Sequence, residues 1–156
     1  MLPLRRLSDL LRGRLESDPA ELRAYREAVR PEIERLDDLF AGWRRALELN
    51  SDEDEMANAA SIQRWEAAGM IDRLRRIQPP TGLTRAHAEL QSLAGDTARA
   101  SQLLSNGYRF HSSRARCEGQ DLMLTAEERI RALVRTLAQN GISVAPGAGD
   151  AAASDE

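Results

Sequence analysis

Apolar residues recur at intervals of three and four through most of the chain. That is the period of an amphipathic helix, not the alternation of a half-buried strand. The longest run is Leu22, Tyr25, Val29, Ile33, Leu36, Phe40, Trp43 and Leu47. It predicts a first helix opened by Asp18-Pro19-Ala20-Glu21, where Asp18 caps, Pro19 suits the first helical position and Glu21 completes a capping box. Pro31 falls inside the run and removes one backbone bond. A bend is expected there rather than an end, because Arg30 would cap a new helix poorly.

A turn at Asn50-Ser51 leads to a second helix, from about Asp52 to Ile77. Its predicted face is Met56, Ala59, Ile62, Gln63, Met70, Leu74 and Ile77, with Trp65 beside it and Gly69 as a soft spot. A third helix starts near Thr81 or Gly82 and presents Leu83, His87, Leu90, Ala94, Ala98 with Thr97, Ser101 and Leu104. Its small residues allow a close helix approach, and Asn106-Gly107 is expected to end it. A fourth helix runs from about Arg109 to Asn140 on the stripe Leu122, Ala126, Ile130, Leu133 and Leu137. Thr125 to Glu128 resembles a second capping box and Gly119 is another weak point, so this helix is expected to be continuous but bent.

The midpoint of the chain is Pro79-Pro80. Both residues lack a backbone N–H, and Pro79 pushes Gln78 out of the helical region. No helix passes through, so the four helices read as two hairpins joined at this turn. The fold class predicted is all-α: an up-down-up-down four-helix bundle over residues 18–140, preceded by an N-terminal amphipathic helix over 1–17 and followed by a disordered C-terminal tail over 141–156. The tail is Gly, Ala, Ser and Asp with no period. In the N-terminal segment Leu2, Leu4, Leu7, Leu10, Leu11 and Leu15 fall at helical spacing between Arg5, Arg6, Arg12 and Arg14. Leu4, Leu7, Leu11, Arg5 and Arg12 are the candidate interaction surface; a short helix lying on the bundle is weighed against one that binds a partner or a membrane surface.

Composition narrows the function classes. A chain of 156 residues is one domain by its length and can bury a core. All 22 basic residues are arginine, yet the net charge is −3. A phosphate-binding protein would be positive, so the arginines read as a coding bias and nucleic acid is disfavoured as a partner. Arg73, Arg75 and Arg76, and again Arg129, Arg131 and Arg135, form small basic clusters without stacking aromatics between them, which suits a solvated face. Cys117 is the single cysteine: an intrachain disulfide and a cysteine-rich zinc site are both excluded, and a small buried residue is expected. No run approaches the length of a membrane span and no secretory signal is evident, so a cytoplasmic protein is expected, with peripheral membrane attachment through residues 2–15 as the variant.

No catalytic or metal signature survives inspection. The acidic run Asp52-Glu53-Asp54-Glu55 suits a helix N-terminus, and it lacks the glycine and distal glutamate of a calcium loop. The two histidines, His87 and His111, are preceded three residues earlier by Thr84 and Tyr108, so the Glu-x-x-His pairs of a di-iron bundle are missing. Glycine-rich nucleotide loops and a Gly-x-Ser-x-Gly elbow are absent. His87 lies on the apolar face one turn past Pro79-Pro80. It is the one candidate polar site, read first as a partly buried ring bonded to a backbone carbonyl of that turn and second as a ligand or proton-transfer group.

Tyr25-x-x-x-Val29-x-Pro31-x-Ile33, Pro79-Pro80 before the third helix and His87 in its first turns together resemble uncharacterised bacterial four-helix-bundle proteins, many of them exported lipoproteins. The resemblance covers about Ala20 to Asn140 and implies a fold, with no activity attached. The lipoprotein signal and acylated cysteine of those proteins are not matched, so export and anchoring are not carried over. The function expected is a non-enzymatic interaction or scaffold module without a cofactor, with a protein partner, self or other. The alternative is a sensory bundle that binds a small amphipathic ligand between its helices.

Overall fold

A computed structural model describes residues 18–144, which form four helices and no strand. They are α1 (Pro19–Glu48), α2 (Glu53–Arg75), α3 (Thr84–Arg109) and α4 (Ser113–Gln139), with a short 3-10 turn at Thr81–Leu83 before α3. The predicted N-terminal helix and its candidate surface Leu4, Leu7, Leu11, Arg5 and Arg12 lie outside the described residues, as does the tail beyond Val144.

The helix starts follow from their caps. The Asp18 side chain accepts from the Ala20 N–H at 3.0 Å, with Pro19 directly after it. Asp52 accepts from the Glu55 N–H at 2.8 Å, and Glu53, Asp54 and Glu55 fill the first turn, where the helix dipole favours carboxylates. Ser112 caps α4 by accepting from the Ala115 N–H at 3.3 Å. The α1 helix runs unbroken through Pro31, which is exposed, as is Glu27.

Neighbours in sequence are neighbours in space: α2 packs on α3, α3 on α4, and α1 lies against both α2 and α4. That pattern is what an up-down-up-down order requires. The approaches are unequal, because side-chain size sets helix spacing. Ala57, Ala60 and Ala67 of α2 and Thr97, Ala100, Ser101 and Ser105 of α3 are buried, and the Ser61 and Ser105 hydroxyls bond across the pair at 2.8 Å. On the other side of α3, Gly107 and Gly119 admit α4. A Cβ on Gly107 would stand 2.6 Å from Cγ of Arg116 and 2.8 Å from its backbone nitrogen; one on Gly119 would stand 2.7 Å from Cγ of Leu104. The α1 helix instead inserts Tyr25, Val29, Ile33, Leu36, Phe40 and Trp43, all buried. Its last expected face residue, Leu47, lies in the last turn of the helix and is 42% exposed.

Several sequence expectations are corrected. Asn106-Gly107 does not end α3, since Gly107 is the contact point with α4. The helix closes two residues later, where Ser112 N–H reaches the Gly107 carbonyl at 2.9 Å and His111 takes the left-handed conformation, φ 53°. The fourth helix accordingly starts at Ser113, not Arg109; it is continuous through Thr125, as expected. On α2 the buried stripe is Met56, Ala60, Gln63, Ala67, Met70 and Leu74, so Ala59 is only half-buried and Ile62 and Trp65 point outward. Trp43 is buried with the Tyr108 ring 6.2 Å away, centroid to centroid, so its cover includes a residue of α3. Cys117 is exposed.

The tail boundary also moves. Ile142 and Val144 are buried. Gly141 (φ 80°) turns the chain, its N–H meets the Ala138 carbonyl at 3.1 Å, and Ile142 N–H reaches the Leu137 carbonyl at 2.9 Å. This is the Schellman closure, which brings the residue after the glycine back onto the last turn of the helix. Residues 141–144 thus belong to the bundle.

Two stability measurements check this packing. Gly119→Ala forces Leu104 aside and should cost about 1–3 kcal/mol, whereas Gly95→Ala, with nothing within 4 Å of the added carbon, should stabilise by about 0.5–1 kcal/mol. Ile142→Ala should lower the unfolding free energy by about 2–4 kcal/mol, as for other buried isoleucines. An unchanged denaturant midpoint would show that this residue carries no core contact.

Candidate functional site

Two features stand out once the core is in place: a buried polar joint at the central turn and an exposed apolar stripe on α2. The joint is built around His87, 4% exposed. Its Nε2 lies 2.9 Å from the Leu74 carbonyl and its Nδ1 lies 3.1 Å from the Tyr25 hydroxyl. The carbonyl only accepts, so Nε2 carries the proton, Nδ1 accepts and Tyr25 donates. The Tyr25 and His87 rings also meet edge-on at 5.6 Å. One imidazole therefore ties α1, α3 and the last turn of α2. The ring is bonded to a backbone carbonyl as expected, but it is buried rather than partly buried, and the carbonyl is that of Leu74 in the last turn of α2 rather than one of the Pro79-Pro80 turn. Tyr25 was legible as an apolar face position, and only its hydroxyl, which needs a partner when buried, hinted at the bond.

Burial pushes the Tyr25 phenol up to about 12. Both His87 nitrogens are occupied, so the ring offers no free base to a ligand. An open cleft of about 630 Å³ lies beside this joint, between the first turns of α1 and the central turn; Glu21, Tyr25, Arg76, Ile77 and Pro80 are among its lining residues. It reaches Tyr25 but His87 is not part of its lining. No three histidine, cysteine or carboxylate groups are placed to hold a metal ion among the described residues.

The basic clusters resolve into ties between helices. Arg73 donates twice to Glu32, Nε to Oε1 at 2.9 Å and Nη2 to Oε2 at 3.1 Å, and the hydrogen bond to that buried carboxylate holds its guanidinium above the usual arginine range. Arg129 donates to Glu89 at 2.9 Å, to Asp96 at 2.5 Å and to the Ser92 hydroxyl at 3.1 Å. Glu127 of α4 takes Arg131 and, from α1, Arg44. The basic face is solvated as expected, with Arg131 the most open of these three, and the structure adds that Arg73, Arg129 and Arg131 are each engaged by carboxylates. Among the six clustered arginines, Arg75 also meets Asp72, at 3.5 Å.

The stripe is simpler. Trp65 is 69% exposed and Ile62 is 64% exposed, one turn apart on α2. They border a shallow depression of about 340 Å³ with Glu66 and Arg73, whose pairing with Glu32 marks the α1 side. The Arg64 guanidinium stands 4.9 Å over the Trp65 ring. Leu49 and Phe110 are comparably exposed at the turns at one end of the bundle, and Leu124 on α4. No helix among the described residues is long and apolar enough to cross a membrane. Comparison of the chain with protein-family models, curated proteins and solved structures finds no match.

The joint makes a pH prediction. Tyr25 holds its proton in the folded state to about pH 12, while the unfolded side chain loses it near 10. Between these values the unfolded state binds fewer protons, so stability falls as pH rises. Below pH 10 this group contributes no slope. Urea unfolding from pH 9 to 12 should show a loss of about 2 kcal/mol across that window, and Tyr25→Phe should abolish the part of the slope due to this residue.

Proposed function

We propose that the chain is a non-enzymatic interaction module whose partner contact centres on the outer face of α2. The observation that supports this reading is the adjacent pair Ile62 and Trp65, left exposed off the buried stripe of α2. An isolated exposed leucine is ordinary on a protein surface, so Leu124 carries little weight. A tryptophan and an isoleucine side by side over a depression, with Arg64, Glu66 and Arg73 at the margin, have the composition of a binding hot spot: an aromatic anchor inside a polar rim. The partner class this fits is protein.

The alternative is a ligand-binding bundle. It has the open cleft at the central turn in its favour. A closed cavity reaching His87 would support it better, and the histidine is instead occupied on both sides. In this proposal the module works in the cytoplasm; attachment to a membrane surface through residues 2–15 is compatible with it and rests on the sequence alone.

The test is a pair of surface variants. Trp65→Ala and Ile62→Asp touch no core residue, so helix content and melting temperature should stay near those of the parent. Binding to a partner identified by co-purification should weaken about 30-fold or more for Trp65→Ala, in line with truncation of a hot-spot tryptophan. Equal affinity of parent and both variants would exclude this face as the contact.

A further inference from the structure

We infer that the cleft beside the central turn binds a free α-amino acid with an apolar side chain, its carboxylate held by Arg76 and its ammonium by Glu21. The site is separate from the outer face of α2. It gives the ligand-binding alternative a chemistry that needs no free imidazole.

The lining of the cleft sets this ligand class. One wall is the first turns of α1, with Glu21, Ala24, Tyr25 and Ala28; the other is the chain from Arg76 to Thr81. Its volume of about 630 Å³ falls within the roughly 300–1,000 Å³ of small-molecule sites. Ala24, Ala28, Ile77 and Pro79 give it an apolar surface, and the two ionised groups that line it are of opposite sign and sit on opposite walls. Nearby arginines are already engaged, Arg73 by Glu32 and Arg75 by Asp72. Arg76 and Glu21, both exposed, make no ion pair among the described residues, with each other or with a third group. A simple anion drawn to Arg76 would face the Glu21 carboxylate, and a simple cation drawn to Glu21 would face the guanidinium. A ligand that carries both charges satisfies both walls at once, and the mismatched charge works against the rest.

The cleft is also preformed. Pro79 and Pro80 fix φ along one wall. On the other, Tyr25 cannot swing away, because its hydroxyl donates to His87 Nδ1 at 3.1 Å and its ring meets the imidazole edge-on. Binding therefore has little to order beyond the Glu21 and Arg76 side chains. The buried joint acquires a second consequence: it holds the tyrosine that forms part of the site.

The test is a titration of the full chain, labelled with 15N, with L-leucine and L-phenylalanine. The amides of Glu21 to Ala28 and of Arg76, Ile77, Gln78 and Thr81 should shift saturably, with a Kd on the order of 1 mM or tighter. L-leucinamide, which lacks the carboxylate, and N-acetyl-L-leucine, which lacks the ammonium, should each bind about tenfold more weakly or worse. Arg76→Gln should weaken L-leucine to the level of L-leucinamide and erase the difference between them; Glu21→Gln should do the same for L-leucine and N-acetyl-L-leucine. Damage to the fold would not produce that selective loss of discrimination. Absence of saturable shifts at these amides with either amino acid overturns the inference. So does N-acetyl-L-leucine binding as well as L-leucine, which would mark an anion site, or L-leucinamide doing so, which would mark a cation site. Should either variant disturb amides throughout the bundle, the three leucine compounds on the parent chain decide by themselves. Trp65→Ala should leave every titration unchanged, so this measurement stands or falls apart from the partner reading.

Discussion

The constraint on which the rest of this bundle depends is the close approach of α3 to its two neighbours. On the α2 side it is made by alanine, serine and threonine; on the α4 side it is made by Gly107 and Gly119, where an added methyl would collide with Arg116 or Leu104. Small residues bring backbones together but fill little volume. The missing volume comes from α1, whose buried face is one aromatic or branched side chain after another. On α2 the buried stripe runs through Met56, Ala60, Gln63, Ala67, Met70 and Leu74, with alanine where α3 comes closest, and Ile62 and Trp65 fall off that stripe to the outside.

The His87 joint addresses a different problem. Pro79 and Pro80 set the direction of the chain between hairpins but supply no N–H of their own. The carbonyls at the end of α2 need other donors. Arg76 N–H and Ile77 N–H take those of Arg73 and Leu74 in the last turn, and the imidazole adds a second bond to Leu74 from across the turn. Because Tyr25 donates to the other ring nitrogen, the position of α1 is coupled to the same atom pair. A buried polar network of this kind is favourable only when every member is satisfied, and here both imidazole nitrogens are. The arginine–carboxylate pairs act at the margins of the same interfaces: Arg73 with Glu32 between α2 and α1, Arg129 with Glu89 and Asp96 between α4 and α3, Arg44 with Glu127 between α1 and α4. Most are partly open to water, so their contribution is to register more than to stability.

What could be read from the chain, and what could not, follows from the range of each interaction. Caps and turns are local: Asp18-Pro19, Asp52 and Pro79-Pro80 were legible because a few adjacent residues decide them. The α1 face was legible because its residues are large and strictly periodic. The α2 face was misread because a search for large side chains selects Ile62 and Trp65, whereas the seam against α3 selects alanine, and nothing local says that a neighbour will come so close. Gly107 was misread for the same reason, since a glycine after asparagine is a good helix end unless another helix needs the space. Ile142 was missed although its signal was present: a glycine closing a helix, followed by a branched apolar residue, turns back onto the last turn. Among the candidate site residues His87 was legible as buried and carbonyl-bonded, but Tyr25 as its partner lies 62 positions away.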